Sequence, residues 1–126
     1  MSTEQHLGMV KSSHGVEVEE VEGAEGITIQ KLIVEKHGSK NIRMRKFTMK
    51  PGAWMVLHEH ENIEHLQYFL KGKVKLTMGD EVYDVKKDDI VFIPVGAAHK
   101  YENKGDEEAQ FLCIIPNKEV KTDILD

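Results

Sequence analysis

From Ile27 to Pro116 the chain is written almost entirely as short apolar-polar alternations broken by turn residues, and no stretch sustains a helical period. ITIQKLIVE, IRMRKFTM, AWMVLHEH, HLQYFL, KVKLTM, EVYDVKK, DIVFIP, HKYEN and EAQFLCII each fit one strand. Between them stand HGSKN, Pro51-Gly52, Lys71-Gly72, Gly79-Asp80, KDD, PVG and NKGDE, compositions that favour turns because they supply left-handed backbone, fixed φ or local side-chain hydrogen bonds. Strands this short and this regularly spaced predict an all-β sandwich or barrel.

With 126 residues the chain has room for one core. We divide it into an N-terminal arm (1–26), a β-barrel domain (27–116) and a C-terminal tail (117–126). In the arm, the alternation of Val16 and Val18 with Glu17 and Glu19 suits either a loose segment or an edge strand pairing with a second subunit. One cysteine, Cys113, excludes an intrachain disulfide, and its apolar surroundings predict a buried, inert thiol. No apolar run reaches the length of a membrane span, and the N-terminus lacks a charged stretch followed by a hydrophobic one, so a cytoplasmic protein without membrane contact is expected. Seventeen Lys and Arg against 22 Asp and Glu, with the basic residues interleaved among acids, argue against nucleic acid as a partner. No nucleophile elbow and no phosphate-binding glycine loop is present.

The seven histidines are not scattered. His58 and His60 are one residue apart, which on a strand places both imidazoles on one face about 7 Å from each other. His65 opens the next strand after ENIE, and His99 opens another after PVGAA. A barrel brings such strand ends together. His6, His14 and His37 lie in polar segments and are expected to be exposed.

The spacing continues beyond the histidines. Gly52, His58, His60, His65 and Gly72 form one half of a pattern, and Pro94, Gly96, His99 and Asn103 the other. The sequence here closely resembles the two motifs of the cupin superfamily, G(x)5HxH(x)4E(x)6G and PxGxxHxxxN. The resemblance implies a double-stranded β-helix, or jelly-roll cupin barrel, whose inward motif residues hold one metal. Two positions depart from the pattern. Asp88 stands where the second motif opens with glycine, an exchange compatible with a turn. His65 stands where most cupins have glutamate, which makes the chain similar to small single-domain cupins with four histidine ligands, several of them manganese proteins and some able to cleave alkenes oxidatively.

Glu64 is an alternative ligand, because the family tolerates a spacing shorter by one residue. Neighbouring residues of a strand face opposite sides, so Glu64 and His65 cannot both point inward once the strand has begun. The distance back from Gly72 and the Tyr68-Phe69-Leu70 core favour His65. Gln67 shares parity with His65 and reads either as a partner of a ligand or bound water, or as a satisfied polar wall residue. Glu61 and Glu64 are the acids placed beside the metal. Trp54, Met55, Phe69, Met78, Phe92, Phe111 and Ile114 are read as core.

The ligand set His58, His60, His65 and His99 predicts one divalent transition metal per chain. Imidazole suits manganese, iron, nickel, copper and zinc, and the resemblance favours manganese. Four neutral imidazoles leave the ion's charge uncancelled and two octahedral positions open, which suits a metal-dependent oxygenase acting on a small organic substrate. The alternatives are an isomerase or sugar-binding cupin using the metal as a Lewis acid, and a non-catalytic small-molecule binding cupin. Ligation requires neutral imidazole, so metal loss is expected below about pH 6. The resemblance also implies a homodimer, with strands of the arm crossing between barrels.

Overall fold

The computed structural model describes residues 8–60 and 62–125. Ten strands follow in chain order: β1 (Val18–Glu20), β2 (Ala24–Ile33), β3 (Ile42–His60), β4 (His65–Lys71), β5 (Lys73–Met78), β6 (Glu81–Lys86), β7 (Ile90–Ile93), β8 (His99–Glu102), β9 (Ala109–Pro116) and β10 (Thr122–Ile124). Every pairing is antiparallel, along the path β6-β5-β8-β3-β9-β4-β7, with β2 and β10 also on β3 and β1 on β2. The sheet curls into a jelly-roll barrel; the alternation predicted an all-β sandwich or barrel, and the motif resemblance the jelly roll. Helical structure among the described residues is confined to 3-10 turns at Ser13–Gly15 and Glu35–His37, and no helix is long and apolar enough to cross a membrane. His14 is exposed as expected, whereas His37 is half-buried and its Nδ1 accepts from Val34 N at 3.0 Å; His6 lies outside the described residues.

β3 organises the rest. It is 19 residues long and runs straight through Pro51-Gly52, where the sequence suggests a turn between two strands. Its first half pairs with β2 and β9 and its second half with β8, β10 and the start of β2. Pro51 has no N–H for a ladder and Gly52 adopts φ +82°, so the strand bends here instead of ending. Asn103 closes the bend. Its Nδ2 donates to the carbonyls of Met49 (3.1 Å) and Glu107 (3.0 Å), its Oδ1 accepts from Gly105 N (3.1 Å), and its backbone exchanges 2.8 Å bonds with Gly52 N and Ala53 O. This motif asparagine is therefore a backbone clamp. Asp88, at the position of the missing motif glycine, has φ +71°, the left-handed conformation that Asp tolerates better than most residues.

Side chains of one parity on β4, β8 and β9 fill the barrel; on β3 the inward residues are odd-numbered up to Met55 and even-numbered from His58, across a register shift between the two. Phe111 is the centre, stacked on Phe47 (5.1 Å), Phe69 (4.6 Å) and Tyr101 (5.3 Å between ring centroids). Trp54 and Phe92, read as core, are exposed because they have the opposite parity. Phe92 lies beside Leu66, and Ile90 beside Tyr68, in one exposed apolar strip. Residues 117–126, expected as a tail, supply β10, which covers the outer half of β3 with Thr122 opposite His60 and Ile124 opposite His58. The arm supplies β1, which pairs with β2 of its own chain.

The junction of β4 and β5 tolerates only glycine. Gly72 has φ +80°, and a Cβ there would sit 2.5 Å from Ala109 Cα and 2.7 Å from the Glu108 carbonyl oxygen, both backbone atoms that cannot yield. Gly52 has a similar φ but open space around it. Gly72→Ala should cost about 2–4 kcal/mol through strain and overpacking, and Gly52→Ala about 1–2 kcal/mol through strain alone. Urea unfolding of the two variants checks this, and equal costs would refute the steric account of Gly72.

Candidate metal centre

Four motif histidines converge inside the barrel. His58 and His60 share one face of β3, His65 opens β4 and His99 opens β8, where it is the register partner of His58. The ligating nitrogens of His58, His60 and His99 lie within 4.8 Å of one another. His65 stands beside this group: its ring centroid is 4.7 Å from that of His60 and 5.7 Å from that of His99. His65 and His99 are buried, at 3% and 1% exposure, whereas Glu64 is exposed on the other side of the chain. Glu61 lies outside the described residues.

Backbone carbonyls set two of the tautomers. His58 Nδ1 is 2.8 Å from the Val56 oxygen and His99 Nδ1 is 2.8 Å from the Ala97 oxygen. A carbonyl can only accept, so each Nδ1 carries the proton and each Nε2 keeps a free lone pair. His60 Nδ1 is 2.9 Å from Thr122 Oγ1 on β10. His65 Nδ1 is 3.4 Å from Cys113 Sγ, and its Nε2 is buried with no hydrogen-bond partner among the described residues. Outer contacts of this kind fix the ring orientation of metal-binding histidines. Free lone pairs aimed into one place, one of them an orphaned buried nitrogen, fit a metal ion.

Burial sets the charge of the cluster. Desolvation, reinforced by the neighbouring histidines and Arg45, lowers His60 to about 3 and holds His65 well below its ordinary value. His99 falls to about 4 and His58 also falls, again chiefly through burial and against the opposing pull of the carbonyl bonds. All four are neutral at physiological pH and need release no proton to bind a metal.

The histidines line a cavity of about 430 Å3, whose other walls include Phe47, Met55 and Phe111. Gln67 is buried in it as its parity predicts, with Nε2 donating to Tyr101 Oη at 2.7 Å and Oε1 unpartnered. Three residues of this site are absent from the sequence-based set. Arg45 lines the cavity, Cys113 touches Arg45 and His65, and Thr122 holds His60. The signal for Arg45 was present: it has the parity of Phe47 and Met49, both buried. Cys113 is buried as expected, but it is a hub of polar contacts, with Arg45 Nη2 at 3.2 Å and Gln67 Nε2 at 3.7 Å besides His65.

The Cupin domain family model matches residues 45–115, the stretch that carries every histidine of the cluster. The oxalate-binding protein of Thermotoga maritima is 27% identical over 114 residues, covering 86% of this chain and 93% of that protein. Oxalate decarboxylase OxdC of Bacillus subtilis is 33% identical over 81 residues, covering 60% of this chain and 21% of OxdC. The chain spans half or less of the length of most curated relatives it matches. Among solved structures, the polyketide cyclase RemF of Streptomyces resistomycificus superposes with a TM-score of 0.85 at 26% identity, over 95% of this chain and 88% of that one.

The lowered proton affinities make stability of the metal-free protein depend on pH. Between their ordinary value of 6.5 and their depressed folded values, the unfolded chain binds protons that the folded chain does not, so acid favours unfolding. Metal-free protein should lose stability steadily as pH falls from about 6.5 towards 4. Denaturant titration at pH 7.5 and 5 measures this, and equal midpoints would contradict buried, neutral imidazoles.

Proposed function

The chain belongs to the cupin family, and from that premise we propose that it is a small metal-dependent cupin, an oxygenase acting on a small organic molecule at a four-histidine centre. The observation that carries the proposal is the cluster itself: three imidazoles with ligating nitrogens within 4.8 Å, and His65 beside them with a buried, unpartnered Nε2, all on the wall of one cavity. His58, His60, His65 and His99 would hold the ion, with manganese favoured and iron, nickel, copper or zinc compatible with imidazole. Such a metal supplies Lewis acidity and open positions for dioxygen or substrate. The chain's own contribution is orientation: the Val56 and Ala97 carbonyls present Nε2 of His58 and His99, Thr122 steadies His60, and Phe47, Met55 and Phe111 give the cavity one apolar wall.

A second reading, Lewis-acid chemistry without dioxygen, is supported by the similar proteins, which include an oxalate-binding protein and a polyketide cyclase. Oxygen consumption by the protein carrying its native metal separates the two readings.

Protein purified without added metal or affinity tag should carry close to one transition metal per chain by plasma mass spectrometry. His65→Ala should weaken retention at least tenfold, and Glu64→Gln should leave it unchanged. The opposite pattern would make Glu64 the fourth ligand.

We also infer a homodimer. The exposed pairs Leu66–Phe92 and Tyr68–Ile90 form a contiguous apolar strip of the kind that interfaces cover, while β1 already pairs within its own chain. Light scattering should give twice the chain mass, and Leu66→Asp with Ile90→Asp should give monomers; a monomeric wild type refutes it.

A further inference from the structure

Three buried side-chain polar atoms lack a hydrogen-bond partner among the described residues: Arg45 Nε, His65 Nε2 and Gln67 Oε1. All three side chains line the same cavity. Unpartnered buried polar groups are costly, and their concentration in one place outlines what is meant to fill it. His65 Nε2 is accounted for by a metal. Arg45 is not.

The Arg45 guanidinium sits over the Phe47 ring at 5.2 Å and gives one hydrogen bond, from Nη2 to Cys113 Sγ. A thiol sulfur is a weak acceptor, and a guanidinium has five N–H donors. Among the described residues no carboxylate lies in ion-pair distance of it. Among the described residues, acids line the cavity only on the arm, and there Glu19 is paired with Lys31 at 3.6 Å while Glu20 and Glu22 are exposed. The charge of Arg45 is felt inside the site, since it contributes to the lowered proton affinity of His60 and His65. Four neutral imidazoles offer it no countercharge, and a bound metal would add to the positive charge. One sulfur atom, Cys113 Sγ, touches both Arg45 and His65, so the cation borders the histidine cluster.

We propose that the molecule this cavity takes is an organic carboxylate, whose carboxyl group pairs with Arg45 while its apolar body lies along Phe47, Phe111 and Met55 towards the histidines. This names the substrate class of the centre proposed above and rests on that reading for the chemistry, but the anchor itself is built only of this chain's residues. A planar guanidinium matches a carboxylate with two parallel hydrogen bonds, and stacking on Phe47 holds it in that orientation. About 430 Å3 falls within the range of small-molecule sites, and the aromatic wall asks for a larger apolar body than a two-carbon dianion has.

Calorimetric titration with benzoate, its neutral isostere benzamide, and oxalate tests the assignment, on protein as purified and after metal removal. Benzoate should bind the wild type, more tightly than benzamide and with affinity falling as salt is raised. Arg45→Gln should weaken benzoate at least tenfold and leave benzamide unchanged, and Arg45→Lys should fall between, keeping the charge without the fork. Benzoate binding that Arg45→Gln leaves intact, or benzamide binding as tightly as benzoate to the wild type, overturns the proposal; the benzamide comparison stands even if the variant does not fold. Tighter oxalate than benzoate also overturns it, in favour of a short dianion. Protein that purifies without metal yet binds benzoate through Arg45 upholds the anchor while the metal reading fails, and protein that purifies with its metal but is indifferent to Arg45 does the reverse.

Discussion

The site depends on one strand continuing where its sequence invites it to stop. β3 carries Arg45 and Phe47 before the bend at Pro51-Gly52 and His58 and His60 after it. Were the chain to turn back at that point, the two halves would pair with each other. Because it bends and runs on, one half lies on β9 and the other on β8. His99 is thereby set opposite His58, and Cys113 opposite Arg45. Asn103 makes this affordable in hydrogen bonds, since it takes over the backbone groups that a proline and a left-handed glycine leave without a ladder. The fold and the centre share this one constraint.

Much of this was legible beforehand because a strand has a period of two. Once His65 is placed on β4, the same parity buries Gln67 and Phe69 and exposes Glu64, Leu66 and Tyr68, as found. The motif spacing located His58, His60, His65 and His99 for the same reason: the distances count residues along strands whose ends meet. Asp88 was legible as a turn residue, and its φ of +71° lies in the left-handed region that glycine favours.

What remained hidden was set by contacts between segments far apart in sequence. Nothing in TDI marks Thr122 as the partner of His60, because that contact exists only once β10 has paired with β3. The alternation of Phe111, Cys113 and Ile115 shows that the thiol is buried but not that Arg45 and His65 meet it there. Arg45 shows a different failure. Its parity was readable, but arginine on a strand is ordinarily outside, so composition outweighed pattern. The continuous β3 was missed because Pro-Gly is a strong turn signal and the residue that overrules it, Asn103, lies half the chain away.

The choice between Glu64 and His65 is finally a question of charge rather than of spacing. A carboxylate ligand would cancel part of the metal's charge and would also face Arg45 across a cavity whose described buried walls carry no acid. Placing His65 inward removes that compensation twice over, leaving a centre made of neutral imidazoles beside an unpaired guanidinium. A protein of low dielectric does not leave such a charge unmet without cost. The carboxylate proposed above would supply that countercharge from outside the chain, so that imidazole in place of carboxylate at one strand position would change what the barrel can hold.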